Sequence, residues 1–195
     1  MRHPKFLVFS GSARSGSHNV KLAALVKKHL ALADAQVTQI SLADYPLPLY
    51  DGDLEDNDGV PENARKLKRV IQGHDGVFIA CPEYNAGITP LLKNALDWVS
   101  RVKDPDAGGV SVFKGRVFAL GAASPGNFGG MRGLIGTRSI LEVGLGALVL
   151  PEMVSIPGAG AAFDVNGGLA NERAAKQLQS MVQALLHHTG KNLLH

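Results

Sequence analysis

The chain has 195 residues, of which 45% are hydrophobic and 19% are charged, a composition typical of a folded domain. One cysteine excludes an internal disulfide and a cysteine-clustered metal site. A formal net charge of +3 without a long basic run predicts neither a nucleic-acid partner nor an acidic tail. No apolar stretch reaches the ~18 residues of a membrane helix, and the run beginning at Phe6 is too short for a signal peptide. We therefore expect one cytoplasmic domain over residues 1–195, with no membrane partner.

Short apolar segments alternate with segments of helical spacing along the chain. The predicted strands are Phe6–Ser10, Gln36–Leu42, Gly76–Cys81, Arg116–Ala122 and a fifth made of Ala147–Leu150 with Met153–Ile156. The first predicted helix begins after Ser17 or Asn19, and the second begins at Pro61 and ends at Gly73. Three further helices are predicted over Thr89–Ser100, Gly129–Gly144 and Asn171–His188. Apolar strands that alternate with helices predict an α/β fold with a doubly wound parallel sheet. The basic stretch Arg65–Arg69 is predicted to be a solvated helix face, and Gly158–Phe163 a flexible loop.

The loop after the first strand, Gly11–Asn19, contains three serines and one arginine. Amides at a helix N-terminus bind anions, and hydroxyl and guanidinium groups add donors that suit a phosphate. The Gly11-x4-Gly16 spacing is not followed by the Lys-Ser/Thr pair of the triphosphate-binding loop, and no Gly-x-Gly-x-x-Gly is present. We therefore predict a cradle for a terminal monophosphate. The alternative is a polar capping turn that binds nothing.

The loop after the third strand begins with Pro82-Glu83-Tyr84-Asn85. Ligands of doubly wound folds bind beyond the carboxyl ends of the strands, where this loop is expected. A tyrosine, an asparagine and exposed backbone amides suit a flat aromatic ligand with a polar edge. Cys81, at the end of the strand, is expected to be a small buried hydrophobic residue without a redox role.

These segments together resemble the NADPH-dependent FMN reductase family, and within it the branch of bacterial quinone and chromate reductases. The first motif, Gly-Ser-x-Arg-x-x-Ser-x-Asn, is matched by Gly11, Ser12, Arg14, Ser17 and Asn19. The second, Pro-Glu-Tyr-Asn followed by Leu-Lys-Asn-Ala-x-Asp-Trp, is matched by Pro82–Asn85 and Leu92–Trp98. Pro48–Asp51 and Gly129-Gly130-x-Arg132 also fit, so the matches span residues 6–152. The resemblance implies a flavodoxin-like three-layer sandwich with five parallel strands in the order 2-1-3-4-5.

The resemblance also implies FMN as cofactor and NADPH or NADH as reductant. It implies that the loop after strand one holds the FMN phosphate and that Pro82–Asn85 line the isoalloxazine ring through main-chain contacts. A third segment, Ser124-Pro125-Gly126, would close the other side of the ribityl chain and ring. His18 stands where the family often has an apolar residue. The cofactor-binding candidates are Ser12, Arg14, Ser17, His18, Asn19, Pro82, Glu83, Tyr84, Asn85, Ser124, Pro125 and Gly126.

A serine hydrolase is a rival interpretation of the loop after strand four. Ser124 lies in a small-x-Ser-x-Gly segment, and Asp164 and His187 or His188 follow in hydrolase order. The oxyanion hole of that fold uses the backbone N–H of the residue after the serine, and Pro125 has none. The sequence therefore disfavours a hydrolase.

In a flavin enzyme the cofactor supplies the redox chemistry, so we predict no catalytic side chain and no metal site. Two substrates that use one flavin face in turn predict ping-pong kinetics. The small-molecule acceptor stays open among quinones, free flavin, azo compounds and chromate. Arg101, Lys103 and Arg116 are candidates for the extra phosphate of NADPH, unless they are simply solvent-exposed charges.

Two non-enzymatic alternatives remain, a flavodoxin-type electron carrier and a flavin-less ligand-binding relative. Flavodoxin-type carriers are typically acidic, so a pI near 9.1 counts against the first. The resemblance also implies a homodimer or homotetramer. The glycine-rich segment 129–146 would let two helices approach closely, and Arg132 and Glu152 fall where related reductases carry charged intersubunit groups.

Overall fold

The structure is a computed structural model, and it describes residues 3–103 and 109–193. The strands are β1 (Lys5–Ser10), β2 (Gln36–Gln39), β3 (Gly76–Ala80), β4 (Glu83–Tyr84), β5 (Gly87–Ile88), β6 (Val117–Ala123), β7 (Leu148–Val149) and β8 (Val154–Ile156). The α-helices are α1 (His18–Leu32), α2 (Gly52–Asp58), α3 (Glu62–Gln72), α4 (Pro90–Arg101), α5 (Met131–Ser139), α6 (Ala159–Ala162) and α7 (Glu172–Asn192). Two 3-10 helices cover Leu42–Asp44 and Gly109–Val112, and a π-helical turn, Ile140–Gly144, extends α5.

The central sheet is parallel and has the order β2-β1-β3-β6-β7, with β8 also paired to β6. The predicted fifth strand is therefore present in two pieces, of which β7 pairs with the start of β6 and β8 with its end. Counted by position, this is the predicted order 2-1-3-4-5. The order reverses between β1 and β3, which places a ligand crevice beyond the carboxyl ends of these two strands.

Successive strand residues point to opposite faces of the sheet and fill two separate cores. Phe6 and Val8 of β1 pack with α1 and α7 on one face. Leu7 and Phe9 pack with α3, α4 and α5 on the other. All five residues from Phe6 to Ser10 are buried, as expected for a strand covered on both sides. The three-layer prediction is confirmed.

Local differences from the sequence predictions have identifiable causes. Gly158–Phe163 is not simply a flexible loop, because its residues 159–162 form α6 behind Gly158, whose φ is +57°. A short helix, α2, follows the Pro48–Asp51 motif and is capped by Asp51, whose side chain accepts from Asp53 N. The β4–β5 hairpin lies inside the predicted loop after β3. No helix in the described ranges is long and apolar enough to cross a membrane.

The predicted solvated face of α3 is wrong for Lys68, which is only 1% exposed. Its Nζ donates to the backbone oxygen of Val102, 2.5 Å away, at the C-terminal end of α4. A buried ammonium at this position satisfies a carbonyl that the helix leaves unpaired and interacts favourably with the helix dipole. Arg69, by contrast, is exposed and pairs with Glu62. Within the basic stretch, Lys68 is therefore buried whereas Arg69 faces solvent.

Candidate functional site

A cleft lies beyond the carboxyl ends of β1, β3 and β6, where the three predicted loops meet. It brings together ten of the twelve predicted residues and adds Ala123; the lining is Ser12, Arg14, Ser17, His18, Asn19, Pro82, Glu83, Tyr84, Ala123, Ser124 and Pro125. Asn85 and Gly126 do not line it. A roomier cavity between β8 and α7 is lined by Ile156, Leu169 and Arg173 among others, and contains none of the predicted residues.

The N-terminus of α1 presents unused hydrogen-bond donors to this cleft. Ser17 is the N-cap, but its side chain makes no capping hydrogen bond. The backbone N–H groups of His18 and Asn19, the first two of the helix, have no acceptor within the described part of the chain. A helix start with a free hydroxyl and free amides is a binding position for an anion.

The loop before α1 is ordered by its own hydrogen bonds. Ser10 Oγ accepts from Ser12 N at 3.1 Å, and Ser12 Oγ accepts from Arg14 N at 3.2 Å. These bonds shape the backbone without using the Arg14 guanidinium, which is exposed and makes no ion pair with any described residue. Arg14 is therefore available to an anionic ligand.

His18 adds to this cleft another polar atom that has no partner in the described part of the chain. Its Nδ1 is shielded from solvent and has no hydrogen-bond partner among the described residues. A buried polar atom without a partner costs stability, so such atoms in native proteins usually meet a ligand or a water. The free amides, the Ser17 hydroxyl, Arg14 and this ring nitrogen together fit the phosphate end of FMN.

Asn19 contributes differently from the prediction, because its side chain does not point a free donor at a phosphate. Its Nδ2 donates to Ala123 O at 2.9 Å, and its Oδ1 accepts from Ala123 N at 3.0 Å. The residue is only 4% exposed. Its amide therefore fastens α1 to the end of β6, and only its backbone N–H remains for a ligand.

A second buried side chain fastens the loops after β1 and β3. Thr89, the N-cap of α4, donates from its hydroxyl to Gly11 O at 2.8 Å and accepts from Leu92 N. A Cβ at Gly11 would lie 3.0 Å from Leu92 and 3.1 Å from Pro82, so glycine permits this close approach. The cleft is thus shaped by hydrogen bonds between its loops before any ligand binds.

The predicted ring-side loop is the β4–β5 hairpin. Its two tip residues, Asn85 and Ala86, both have positive φ, +49° and +66°, as a type I′ turn requires. Asparagine tolerates this conformation, whereas alanine adopts it at a cost of ~1–2 kcal/mol. Tyr84, beside the tip, is 53% exposed and lines the cleft. The sequence pattern predicted only a loop here, because Asn85-Ala86 is not a usual pair for a type I′ turn.

Glu83 holds the hairpin against α5. Its Oε1 accepts from Arg132 Nε at 3.0 Å and from Arg132 Nη2 at 2.5 Å, while its Oε2 accepts from Gly133 N at 3.0 Å. Burial raises the pKa of this carboxyl, but the bonds from Gly133 and Arg132 outweigh burial and hold the pKa below its ordinary value. Glu83 is therefore an ionised structural anchor at the edge of the cleft.

The hydrolase interpretation finds no support in the geometry. Ser124 Oγ accepts from Gly126 N in a local turn. The carboxylate of Asp164 accepts from Asn166 N and Gly168 N within its own loop, and His187 stacks edge-on against His188. No hydrogen bond between these described residues assembles a triad.

The remaining charged and sulfur-containing candidates lie outside the cleft, and most of them have structural partners. Arg116 donates to four backbone oxygens around the end of α3, so it does not serve a cofactor phosphate. Arg101 pairs with Glu55 at 2.7 Å, and Lys103 is exposed. Cys81 is fully buried, and burial raises the pKa of its thiol to about 12, which keeps it protonated and unreactive. In the described ranges no group of histidine, cysteine and carboxylate side chains could hold a metal.

Comparison with known proteins agrees with this geometry. The NADPH-dependent FMN reductase family matches residues 4–161 of the chain. An NAD(P)H-dependent FMN reductase of Pseudomonas aeruginosa is 35% identical over 183 residues, covering 93% of this chain and 92% of that protein. A quinone reductase of Escherichia coli strain K12 is 38% identical over 141 residues, or 72% of this chain and 70% of that protein. The solved flavoenzyme NAD(P)H:(acceptor) oxidoreductase of Paracoccus denitrificans has a TM-score of 0.79 at 28% identity, covering 97% of this chain and 98% of that one.

The fold and the cleft define a flavodoxin-like oxidoreductase. The chain belongs to the NADPH-dependent FMN reductase family, whose cofactor is FMN and whose reductant is a reduced nicotinamide nucleotide. The resemblance drawn from the four sequence motifs is confirmed.

Proposed function

We propose that this protein is a single-domain NAD(P)H:quinone oxidoreductase that transfers electrons through FMN bound in the cleft described above. The observation that carries the proposal is the N-terminus of α1, where the Ser17 hydroxyl and the His18 and Asn19 amides face the cleft without acceptors. Quinones are the first acceptors to test, because a quinone reductase is among the relatives. Chromate and azo compounds are further acceptors to assay.

The chain's own residues bind and orient in this proposal. Ser12, Ser17, Arg14 and the α1 amides hold the phosphate, with His18 Nδ1 as a further partner. Pro82 to Tyr84 form one wall of the cleft and Ser124 with Pro125 the other. FMN held in this cleft would supply the two-electron transfer from the reduced nicotinamide to the acceptor. Backbone N–H groups next to the ring would favour its reduced form.

A flavodoxin-type electron carrier is the main alternative to this enzyme. Arg14 in the phosphate loop and the basic pI of about 9.1 favour the reductase. A carrier would need a protein partner for turnover, whereas the enzyme would oxidise reduced nicotinamide with a small quinone alone.

We also propose a homodimer or homotetramer in the cytoplasm. Ile135, Val143 and Leu148 on α5, the π-helical turn and β7 are exposed, and such apolar side chains suit a subunit contact. The single buried thiol of Cys81 is in keeping with a reducing compartment.

The experiment is an absorbance spectrum of the purified protein, identification of the released cofactor, and steady-state oxidation of NADPH and NADH with benzoquinone. We expect bound FMN and ping-pong kinetics without any protein partner. A protein that neither contains nor takes up FMN would contradict the proposal, and FMN binding without turnover would support the carrier.

A further inference from the structure

We infer that Arg132 is a positioning residue for the flavin cleft, because it fixes the wall formed by the β4–β5 hairpin through Glu83. It also contacts Phe128, in the loop that follows the opposite wall at Ser124 and Pro125. The inference rests on the proposed FMN site. It assigns to Arg132 a role inside one chain, whereas the sequence led us to expect an intersubunit contact.

The hairpin needs support from outside itself. It has two residues in each strand, and isolated hairpins even of ordinary length are marginally stable in water. Its tip adds strain, since Ala86 has φ of +66° without being glycine. The hairpin therefore keeps its shape only if other elements fix it.

The N-terminal turn of α5 supplies that support. The Glu83 side chain is 7% exposed, and its two oxygens accept from Arg132 and from Gly133 N. A Cβ at Gly133 would lie 3.1 Å from Glu83 Cβ and 3.2 Å from Gly87 O, so the hairpin packs directly on the helix backbone. This glycine of α5 thus serves a contact within the chain.

Arg132 also contacts Phe128, four residues before it, in the loop that follows the opposite wall. Its Cζ lies 5.1 Å from the centroid of the Phe128 ring, a cation–π distance. Phe128 is 65% exposed, and its backbone oxygen accepts from Ser155 Oγ and Met131 N. The backbone of this loop is therefore fixed to the sheet end and to α5, while its aromatic side chain depends on Arg132.

A loss of Arg132 should loosen the hairpin before any ligand is present. We would measure amide hydrogen exchange of residues 83–88 in the FMN-free protein, the FMN dissociation constant and the visible circular dichroism of bound FMN. The variants are Arg132→Ala, Glu83→Gln and both together, with Arg132→Lys as the milder change. Arg69→Ala is the control, because the Arg69 side chain is about as exposed as that of Arg132 and pairs with Glu62 outside the cleft.

We expect exchange at residues 83–88 to accelerate about tenfold in Arg132→Ala and Glu83→Gln, with weaker FMN binding by a similar factor and an altered dichroism band. Arg132→Lys should fall between these variants and the parent, because lysine is a point charge without the two-nitrogen contact. The double variant should lose little more than the worse single one, since both changes remove one interaction. Arg69→Ala should change none of the three.

Unchanged exchange in Arg132→Ala, or fully additive losses, would overturn the inference. A changed sedimentation coefficient with unchanged exchange would instead make Arg132 an intersubunit residue and would also overturn it. If the parent protein binds no FMN, the proposed function fails, whereas the exchange measurement still decides whether Arg132 fixes the hairpin.

Discussion

The two sides of the cleft are built in opposite ways. On the side of α1, the Ser17 hydroxyl, the His18 and Asn19 amides and the Arg14 guanidinium lack partners among the described residues. On the hairpin side, the Glu83 carboxylate has three hydrogen bonds within the chain. Unpaired donors can bind a ligand, whereas paired groups fix the shape of the protein. Substitutions on the first side should therefore weaken FMN binding, and substitutions on the second should destabilise the local structure.

Asn19 gives the largest expected effect on stability. It lies at the N-terminus of α1, on the side with unpaired donors, but its own side chain is paired with Ala123. Asn19→Leu leaves Ala123 N and Ala123 O buried without partners, which costs about 2–4 kcal/mol of unfolding free energy. For a chain of this size we expect the melting temperature of the FMN-free protein to fall by about 10 °C. Thermal unfolding followed by circular dichroism measures the shift.

Val20→Ala, a change at the exposed neighbouring position, is the control and should alter stability little. If Asn19→Leu instead kept its melting temperature and lost only FMN affinity, Asn19 would be a phosphate ligand as the sequence predicted.

Arg14→Ala and Ser17→Ala should show the opposite pattern. Each removes a donor to the phosphate worth about 1.5–3 kcal/mol, so the FMN dissociation constant should rise about 10- to 100-fold. The melting temperature of the FMN-free protein should stay unchanged, because neither side chain has a hydrogen-bond partner in the described ranges. Fluorescence titration of both FMN and riboflavin measures the effect.

Riboflavin lacks the phosphate, so its affinity should be the same in the parent protein and in both variants. Ser15→Ala, at an exposed loop position that does not line the cleft, is the matched control. Equal losses for riboflavin and FMN would show that these residues do not contact a phosphate.

Glu83 predicts how the hairpin side responds to acid. Its pKa is lower in the folded protein than in the unfolded chain, so its ionised form stabilises the fold above the unfolded value near 4.5. This contribution is lost as the pH falls below about 4.5 and through the folded pKa. The difference in melting temperature between the parent and Glu83→Gln should thus be largest near pH 6 and shrink towards pH 3.

Val20→Ala, which changes no ionisable group, is the control, and its melting temperature should differ from that of the parent equally at pH 6 and pH 3. A parent–Glu83→Gln difference that is constant between pH 6 and pH 3 would mean that Glu83 ionisation does not hold the hairpin.

The positions of the strands and of the loop before α1 follow from local patterns in the sequence, whereas the order of the strands and most of the cleft lining came from the resemblance to the family. Apolar runs placed the strands, and Gly-Ser-x-Arg-x-x-Ser placed the loop before α1. The role of Asn19 depends on a contact 104 residues away, with Ala123. No local spacing carries that information.

The hairpin was missed for a related reason. Hairpin turns with two positive φ values usually contain Asn-Gly, but here the second position is Ala86. The turn conformation is stabilised by the contacts of Glu83 with α5, which are distant in sequence. Local propensity alone therefore predicts a loop here. Lys68 was likewise assigned to solvent, since its buried acceptor, Val102 O, lies 34 residues away.

Ala86 gives the smallest effect and the most direct measure of the strain on the hairpin side. Ala86→Gly relieves ~1–2 kcal/mol of left-handed strain, offset in part by the larger entropy of glycine in the unfolded chain. A net gain of about 0.5–1 kcal/mol should raise the melting temperature by about 2 °C. Ala24→Gly, at an exposed position of α1, is the control and should lower the melting temperature, because glycine destabilises a helix by about 1 kcal/mol. FMN affinity should not change in Ala86→Gly if Glu83 and Arg132 alone hold the hairpin, and weaker FMN binding would show that the rigidity of alanine at the tip contributes to the wall.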